Sequence, residues 1–274
     1  MGKKNPPAAG RASGASPERP AAAATGDARL ASDAPRRNRI LAALPEADYQ
    51  RLLPALEPFP LPQGWAVHGA GRRQTHLYFI TRGVVSRSCL TEEGKGVEFS
   101  TTGSEGVVGV TLCLGGGSTS SQAEVIVEGF SFRLAADLLL RELGAHGPLM
   151  ELLLRYTQSL MDEAGQIGAC SRHHSLQHRL CRWLLSLHDR SDDERLPVTH
   201  DTIAQMLGVR REGVTQAVGK LHAQGLIDCQ RGHIDMLDRE GLEAQACECY
   251  AVIRQAHECL AEAGGSQRLL RRSR

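Results

Sequence analysis

The stretch from Thr199 to Asp238, THDTIAQMLGVRREGVTQAVGKLHAQGLIDCQRGHIDMLD, limits what this chain can become more than any other. Apolar residues recur at Ile203, Ala204 and Leu207, then at Val214, Val218 and Leu221. Each group lies on one face of a short helix, so the two helices must share a core. Gly208-Val209 leaves room only for a tight turn, with Gly208 where a helix ends in the left-handed region. Ala204 is small where the second helix must cross closely, which is the spacing of a helix-turn-helix. After Gly225, the runs Leu226–Cys229 and His233–Met236 flank Gln230-Arg231-Gly232 and read as a hairpin, which makes a wing.

This conjunction resembles the C-terminal winged helix-turn-helix of the Crp/Fnr family of bacterial transcription regulators. The resemblance implies an α+β chain with three parts. These are an N-terminal antiparallel β-roll (a double-stranded β-helix), a long dimerisation helix, and the winged unit.

The rest of the chain reads consistently with that plan. At 274 residues it is long enough for two domains. Residues 1–37 are rich in Ala, Pro, Gly and Ser, bury too little apolar surface to offset ordering entropy, and read as a disordered tail. Ile40, Leu41 and Leu44, then Tyr49, Leu52, Leu53 and Leu56, predict two short helices ending at Pro45 and Pro58. From Leu61 to Arg133, short Val/Ile/Phe/Thr runs punctuated by Gly predict an antiparallel sandwich or barrel. Leu77–Ile80 and the turn Glu93–Gly96 before Val97–Phe99 are its clearest units. The sensor domain is placed at 38–145, and it resembles the cyclic-nucleotide-binding β-roll.

A helix near Ala135–Leu143 closes the roll. The dimerisation helix and hinge occupy 146–174, with Leu149, Leu153, Tyr156, Leu160, Ile167 and Cys170 as a coiled-coil seam or a face packed on the roll. Glu163 interrupts that stripe, and Gly165 and Gly168 each weaken the helix by about 1 kcal/mol relative to Ala. The winged domain is placed at 175–240, opened by a helix carrying Leu176, Leu180, Trp183, Leu184 and Leu187. A helical extension with a basic tail, Arg268, Arg271, Arg272 and Arg274, fills 241–274 and adds to the usual family plan.

Candidate DNA-contacting residues come from the resemblance and from the reach of long side chains at the start of a recognition helix. Arg211 and Glu212 match the family's base-reading Arg-Glu pair, suited to guanine O6/N7 and cytosine N4. Arg210 stands where the family has a Ser cap, Gly213 where it has Thr, and Gln216 where it often has a later Arg. Loss of the cap costs on the order of 1 kcal/mol. Thr199, Arg210, Thr215, Lys220, Arg231 and His233 are phosphate candidates.

The family's nucleotide cassette is degenerate here. Its stretch is Gly103-Ser104-Glu105-Gly106-Val107-Val108-Gly109-Val110, then Ser120-Ser121-Gln122-Ala123. Val110 stands where the ribose-binding Glu belongs, Glu105 lies upstream, and no Arg occurs between Arg87 and Arg133. A buried cyclic phosphate without a guanidinium loses roughly 1.5–3 kcal/mol or more. The expectation is therefore a regulator not gated by cyclic AMP, with its effector unknown and Gly103, Glu105, Gly109, Val110 and Gln122 as remnants of the site. Gly115–Gly117 with Ser118–Ser121 reads as a surface loop or as the wall of a different pocket.

The formal net charge of +1 carries no global polyanion signal, so DNA binding must come from a local patch. No apolar run suits a membrane span or a signal peptide, so no membrane partner and a cytoplasmic location are expected. Eight cysteines are scattered without a disulfide pattern. Cys247 and Cys249 with His257 and Cys259 have metal-compatible types, but a helix through them spreads the first two to different faces, so no metal is expected. The first cysteine, Cys89, is too late for the N-terminal iron–sulfur cluster of some family members. His68 and His76 make no HxH motif for a metal-dependent cupin, so neither a cofactor nor enzymatic activity is expected. The partners implied are double-stranded DNA, a second copy of the chain, and RNA polymerase. The rival readings are a winged-helix protein-interaction module and a β-roll that binds a small molecule without any DNA role.

Overall fold

The structure is a computed structural model that describes residues 34–258 except 94–95 and 145–146. The tail through residue 33, part of the Glu93–Gly96 turn, and Cys259 with the terminal arginines lie outside the described residues.

The described residues begin with a 3-10 helix at Pro35–Arg37, within the segment read as a disordered tail, followed by two short α-helices, α1 (Arg39–Ala42) and α2 (Glu46–Leu52). Asn38 pins α1 to the body of the domain. Its Oδ1 accepts from the Ile40 and Leu41 amides while its Nδ2 donates to the Ile80 and Gly106 carbonyls, so this wholly buried amide is fully paired.

The roll consists of β1 (Glu57–Leu61), β2 (Ala66–His68), β3 (His76–Leu90), β4 (Gly96–Thr102), β5 (Val107–Val108) and β6 (Ser121–Ala135). The antiparallel order is β1-β6-β3-β4, with β2 on β6 and β5 on β3. The two 15-residue strands β3 and β6 run side by side, and their register shifts between Ile80 and Val85. Bulges of this kind add twist and let one sheet curl around its own core. Phe59, Leu61, Val67, Tyr78, Ile80 and Val125 fill that interior.

Helix α3 (Ala136–Leu143) leads to α4 (Pro148–His173), a continuous 26-residue helix despite Gly165 and Gly168. Leu149, Leu153, Tyr156 and Leu160 of α4 share one core with α1, α2 and the roll. Gly106 makes this approach possible, because a β-carbon there would fall 2.2 Å from the Tyr156 ring. Of the two roles read for this stripe, seam or face packed on the roll, the structure shows the second: Leu149, Leu153, Tyr156 and Leu160 are turned inward on the chain's own core. Leu154 (49 % exposed) and Met161 (65 %) face outward instead. Sequence periodicity cannot separate two adjacent heptad stripes on one helix; only the roll's position selects which is covered.

Ser175 caps α5 (Leu176–His188), accepting from the His178 amide. Then come β7 (Arg195–Leu196), α6 (His200–Leu207), α7 (Arg211–Ala223), β8 (Ile227–Gln230) and β9 (His233–Met236), with β9 central in a three-stranded sheet. Two further helices, α8 (Arg239–Gln245) and α9 (Cys249–Glu258), bring the chain back onto α4 and α5. The core of the winged unit continues into the roll through Val84, Ile126 and Val127.

Candidate DNA-binding face and buried joint

The helix-turn-helix is built as its residues demand. Thr199 caps α6, its Oγ1 accepting from the Thr202 amide at 3.1 Å. Gly208 ends α6 at φ 63°, and Val209 N donates back to Ala204 O. Helix α7 buries Val214, Ala217, Val218 and Leu221 and leaves Arg210, Arg211, Glu212, Thr215, Gln216 and Lys220 exposed. Its N-cap, Arg210, makes no side-chain cap bond, leaving the first amides of α7 without the acceptor a Ser would bring. A β-carbon at Gly213 would stand 3.2 Å from Leu176 Cδ2, so the absence of a side chain there lets α7 pack tightly on α5.

Arg211 Nη1 lies 3.2 Å from Asp201 Oδ2 on α6, with both side chains mostly exposed. Such a surface pair is worth about 0–1 kcal/mol, so it orients Arg211 without sequestering it. His200 Nδ1 and Thr215 Oγ1 make a second bridge between the helices at 3.1 Å. In the wing, Arg231 is exposed at the β8–β9 turn and His233 is half-buried.

Of the cassette residues, Gly103 and Glu105 meet each other. Gly103 N donates to Glu105 Oε1, and the same carboxylate receives Arg190 Nε at 2.7 Å. Val110 is buried in an apolar cluster, and Gln122 pairs in register with Ser88, one residue along from the Ala123–Arg87 pair and so on the opposite face. Gly115–Gly117 lines a cleft of about 430 Å³ with Gln74 and Leu140.

A further buried cation, Arg87, is unmarked by any motif along the chain. It lies in β3, opposite both Ala123 of β6 and Ser100 of β4, and His68 of β2 also faces Ala123. One row across the sheet therefore reads His68, Ala123, Arg87, Ser100. Arg87 is 7 % exposed, donates Nη2 to Ser100 Oγ at 2.9 Å, and has no carboxylate partner among the described residues. Arg87 Nε and His68 Nδ1 are buried without hydrogen-bond partners among those residues. Burial, with the charge of Arg87 added, pushes His68 down to about 4. Cross-strand register supplies this juxtaposition, and linear spacing carries no sign of it.

Residues 178–245, the span from α5 through the wing to α8, match the Crp-like helix-turn-helix domain family. A curated relative, the CRP-like cAMP-activated global transcriptional regulator of Mycobacterium tuberculosis, is 25 % identical over 198 residues, covering 70 % of this chain and 88 % of its own. Residues 178–245 are a Crp-like helix-turn-helix domain. Among solved structures, a crp/fnr-family regulator from Eubacterium rectale aligns with TM-score 0.61 at 19 % identity, covering 75 % of this regulator and 96 % of that chain. FixK2 from Bradyrhizobium japonicum aligns with TM-score 0.61 at 18 % identity, covering 70 % and 98 %. The fold is shared with both. The regulator is thus a DNA-binding transcription factor, and no helix among its described residues is long and apolar enough to cross a membrane.

Besides the shared apolar core, buried polar and charged groups join this regulator's roll to its DNA-reading half. Glu98 of β4 accepts from Ser86 Oγ at 2.6 Å and from Trp183 Nε1 of α5 at 3.0 Å. Ser86 also lies 3.2 Å from Met206 Sδ on α6, but its single proton serves the carboxylate. Burial pushes Glu98 up to about 7 despite those two donors. A second cluster sits beside it. Arg190 reaches Glu105 at 2.7 Å and Glu163 at 3.6 Å, and His257 Nε2 lies 3.2 Å from Glu163 Oε2. Burial would raise Glu163, but the His257 hydrogen bond and the Arg190 charge outweigh it and hold the group down at about 2. Glu163, which interrupts the stripe, is therefore a charge clasped between Arg190, just past α5, and His257 of α9.

Proposed function

We propose that the regulator binds DNA as a homodimer, each copy laying α7 in the major groove of one half of a pseudo-palindromic site. The observation that carries this is the exposed start of α7, where Arg211, Glu212 and Gln216 stand clear while Val214 and Val218 hold the helix to α5 and α6. Arg211 would bind guanine O6 and N7, Glu212 cytosine N4, and Gln216 a further base edge. Arg210, Thr215, Lys220, Arg231 and His233 would meet phosphates, while Thr199 serves α6 as its cap. The dimer would form along the outward stripe of α4, Met150, Leu154, Thr157, Met161, Ala164 and Gly168, which keeps heptad spacing and stays at least partly exposed. The protein would act in the cytoplasm with RNA polymerase as its downstream partner.

The input is proposed to be a small anion other than cyclic AMP held in the family's manner. Glu105 is already committed to Arg190, whereas Arg87 is a buried cation lacking a carboxylate counter-charge among the described residues. Isolated buried charge is costly, and an anionic ligand relieves it.

Selection of bound sequences from a random duplex pool tests the DNA reading. Wild type is expected to return an inverted repeat, and Arg211→Ala to lose discrimination at one base pair per half-site, about 1–3 kcal/mol, while light scattering still reports a dimer. An unchanged preference in that variant would overturn the assignment. Calorimetry with cyclic AMP tests the input: tight binding would refute this reading of the roll.

A further inference from the structure

Four side chains from two distant stretches of chain meet where α4 ends. Cys170 and His174 are one turn apart, the second being the C-cap of α4. Cys247 precedes α9 and Cys249 is its first residue. A continuous helix through these cysteines would have spread them apart. Instead Ala246 ends α8 in an extended conformation, and the chain turns before α9 starts, so both thiols aim at the same point.

The Sγ atoms of the three cysteines and a ring nitrogen of His174 all lie within 4.8 Å of one another. Cys170 Sγ is 3.6 Å from Cys247 Sγ, and Cys249 Sγ is 3.4 Å from His174 Nδ1. A tetrahedral zinc ion with Zn–S about 2.3 Å and Zn–N about 2.05 Å requires edges of about 3.75 Å between sulfurs and about 3.55 Å between sulfur and nitrogen. Both of these edges are within about 0.2 Å of those values, and every other pair of ligand atoms lies within 4.8 Å. Cys170 and Cys249 are fully buried and Cys247 is 7 % exposed, forming a small cluster of their own apart from the apolar cores.

The surroundings suit ligands rather than idle thiols. His174 presents Nδ1 to the cysteines while its Nε2 lies 3.3 Å from Glu248 Oε1, and a carboxylate on the far nitrogen fixes the tautomer that leaves Nδ1 free to ligate. Gln166 Nε2 lies 3.1 Å from Cys249 Sγ, in position to donate to a thiolate. A single disulfide would account for only two of the four groups. A cubane iron–sulfur cluster needs its ligands spread around a body wider than this set encloses.

The geometry points to a closed Cys3His site for one thiophilic divalent cation, zinc by its ligand set, formed by Cys170, His174, Cys247 and Cys249. Three thiolates and an imidazole complete the tetrahedron and leave no position open for substrate, so the ion is structural or regulatory. It would bolt the C-terminal helix pair to the end of α4, at the hinge from which the DNA-reading half departs. Metal loss would then free that hinge.

The test uses the full untagged chain, purified under reducing conditions from medium containing zinc or cobalt. Elemental analysis is expected to find one zinc per chain. The cobalt form is expected to show tetrahedral ligand-field bands with thiolate-to-cobalt charge transfer. Glu248→Gln, which leaves every ligand in place, is expected to weaken zinc in a chelator competition by about 10- to 100-fold. Cys249→Ser should abolish the charge-transfer pattern of three thiolates, and the wild-type cobalt spectrum decides the matter even if that variant fails to fold. Folded protein without metal, an octahedral cobalt spectrum, iron–sulfur absorption, or a Cys170–Cys247 disulfide in freshly reduced protein would each overturn the assignment. None of these readouts depends on DNA binding.

Discussion

Helix α7 and the joint beneath α5 both bear charged residues, yet they use them in opposite ways. On α7, Arg211 and its neighbours are solvated, and its pairing with Asp201 is a weak surface contact. In the joint, Arg190 and Glu105 are each 8 % exposed and Glu163 is 2 % exposed, so each charge depends on its partner for tolerance of burial. The difference teaches where function and stability separate in this regulator. Substitutions on α7 should change what is read with little effect on folding. Substitutions in the joint should change folding, and the coupling between halves, without touching DNA.

The largest effect that would break this contrast is at Arg190. Arg190→Ala leaves Glu105 and Glu163 buried without their shared cation and is expected to cost about 3–5 kcal/mol, read as a lower urea midpoint. A loss no greater than a surface variant's would mean that the joint is not a stabilising unit.

Glu98 gives the next effect, and its sign is distinctive. Its folded pKa of about 7 exceeds the ordinary 4.5, so the folded state holds a proton that the unfolded state has released. Stability from this group therefore falls as pH rises from about 4.5 to about 7, by about 3 kcal/mol, and is flat above. Glu163, held at about 2, behaves oppositely: its contribution is complete above 4.5 and is lost as pH falls toward 2. Glu98→Gln should flatten the wild-type decline between pH 4.5 and 7 in denaturant titrations, and an unchanged slope would count against a buried protonated Glu98. Smallest is the cap of α7. Arg210→Ser is expected to raise stability by about 0.5–1 kcal/mol in thermal melts, sharpening the view that the reading helix is held loosely at its start.

Much of the DNA-reading half was legible in the chain itself. Apolar spacing, the turn at Gly208, the Gly-centred wing and the missing cap at Arg210 are local features, and local spacing specifies them. The roll was legible as a class from its short strands and frequent glycines. Its register was not, which is why Arg87 escaped notice while Gln122 and Val110 drew attention. For the long helix, sequence showed a heptad stripe but not which of two neighbouring stripes faces the core. The cysteines failed for a related reason: a helix drawn through Cys247 and Cys249 separates them, whereas the real break at Ala246 unites them with residues some 75 positions earlier.

The sequence by itself determined that this is a winged reader with Arg211 and Glu212 at its tip, because short-range periodicity and turn chemistry act over a few residues. Tertiary structure alone decided where the charges and thiols converge. Glu105 meets Arg190, Glu163 meets His257, and Cys170 meets Cys247, only because burial forces distant polar groups to find partners that spacing along the chain never reveals.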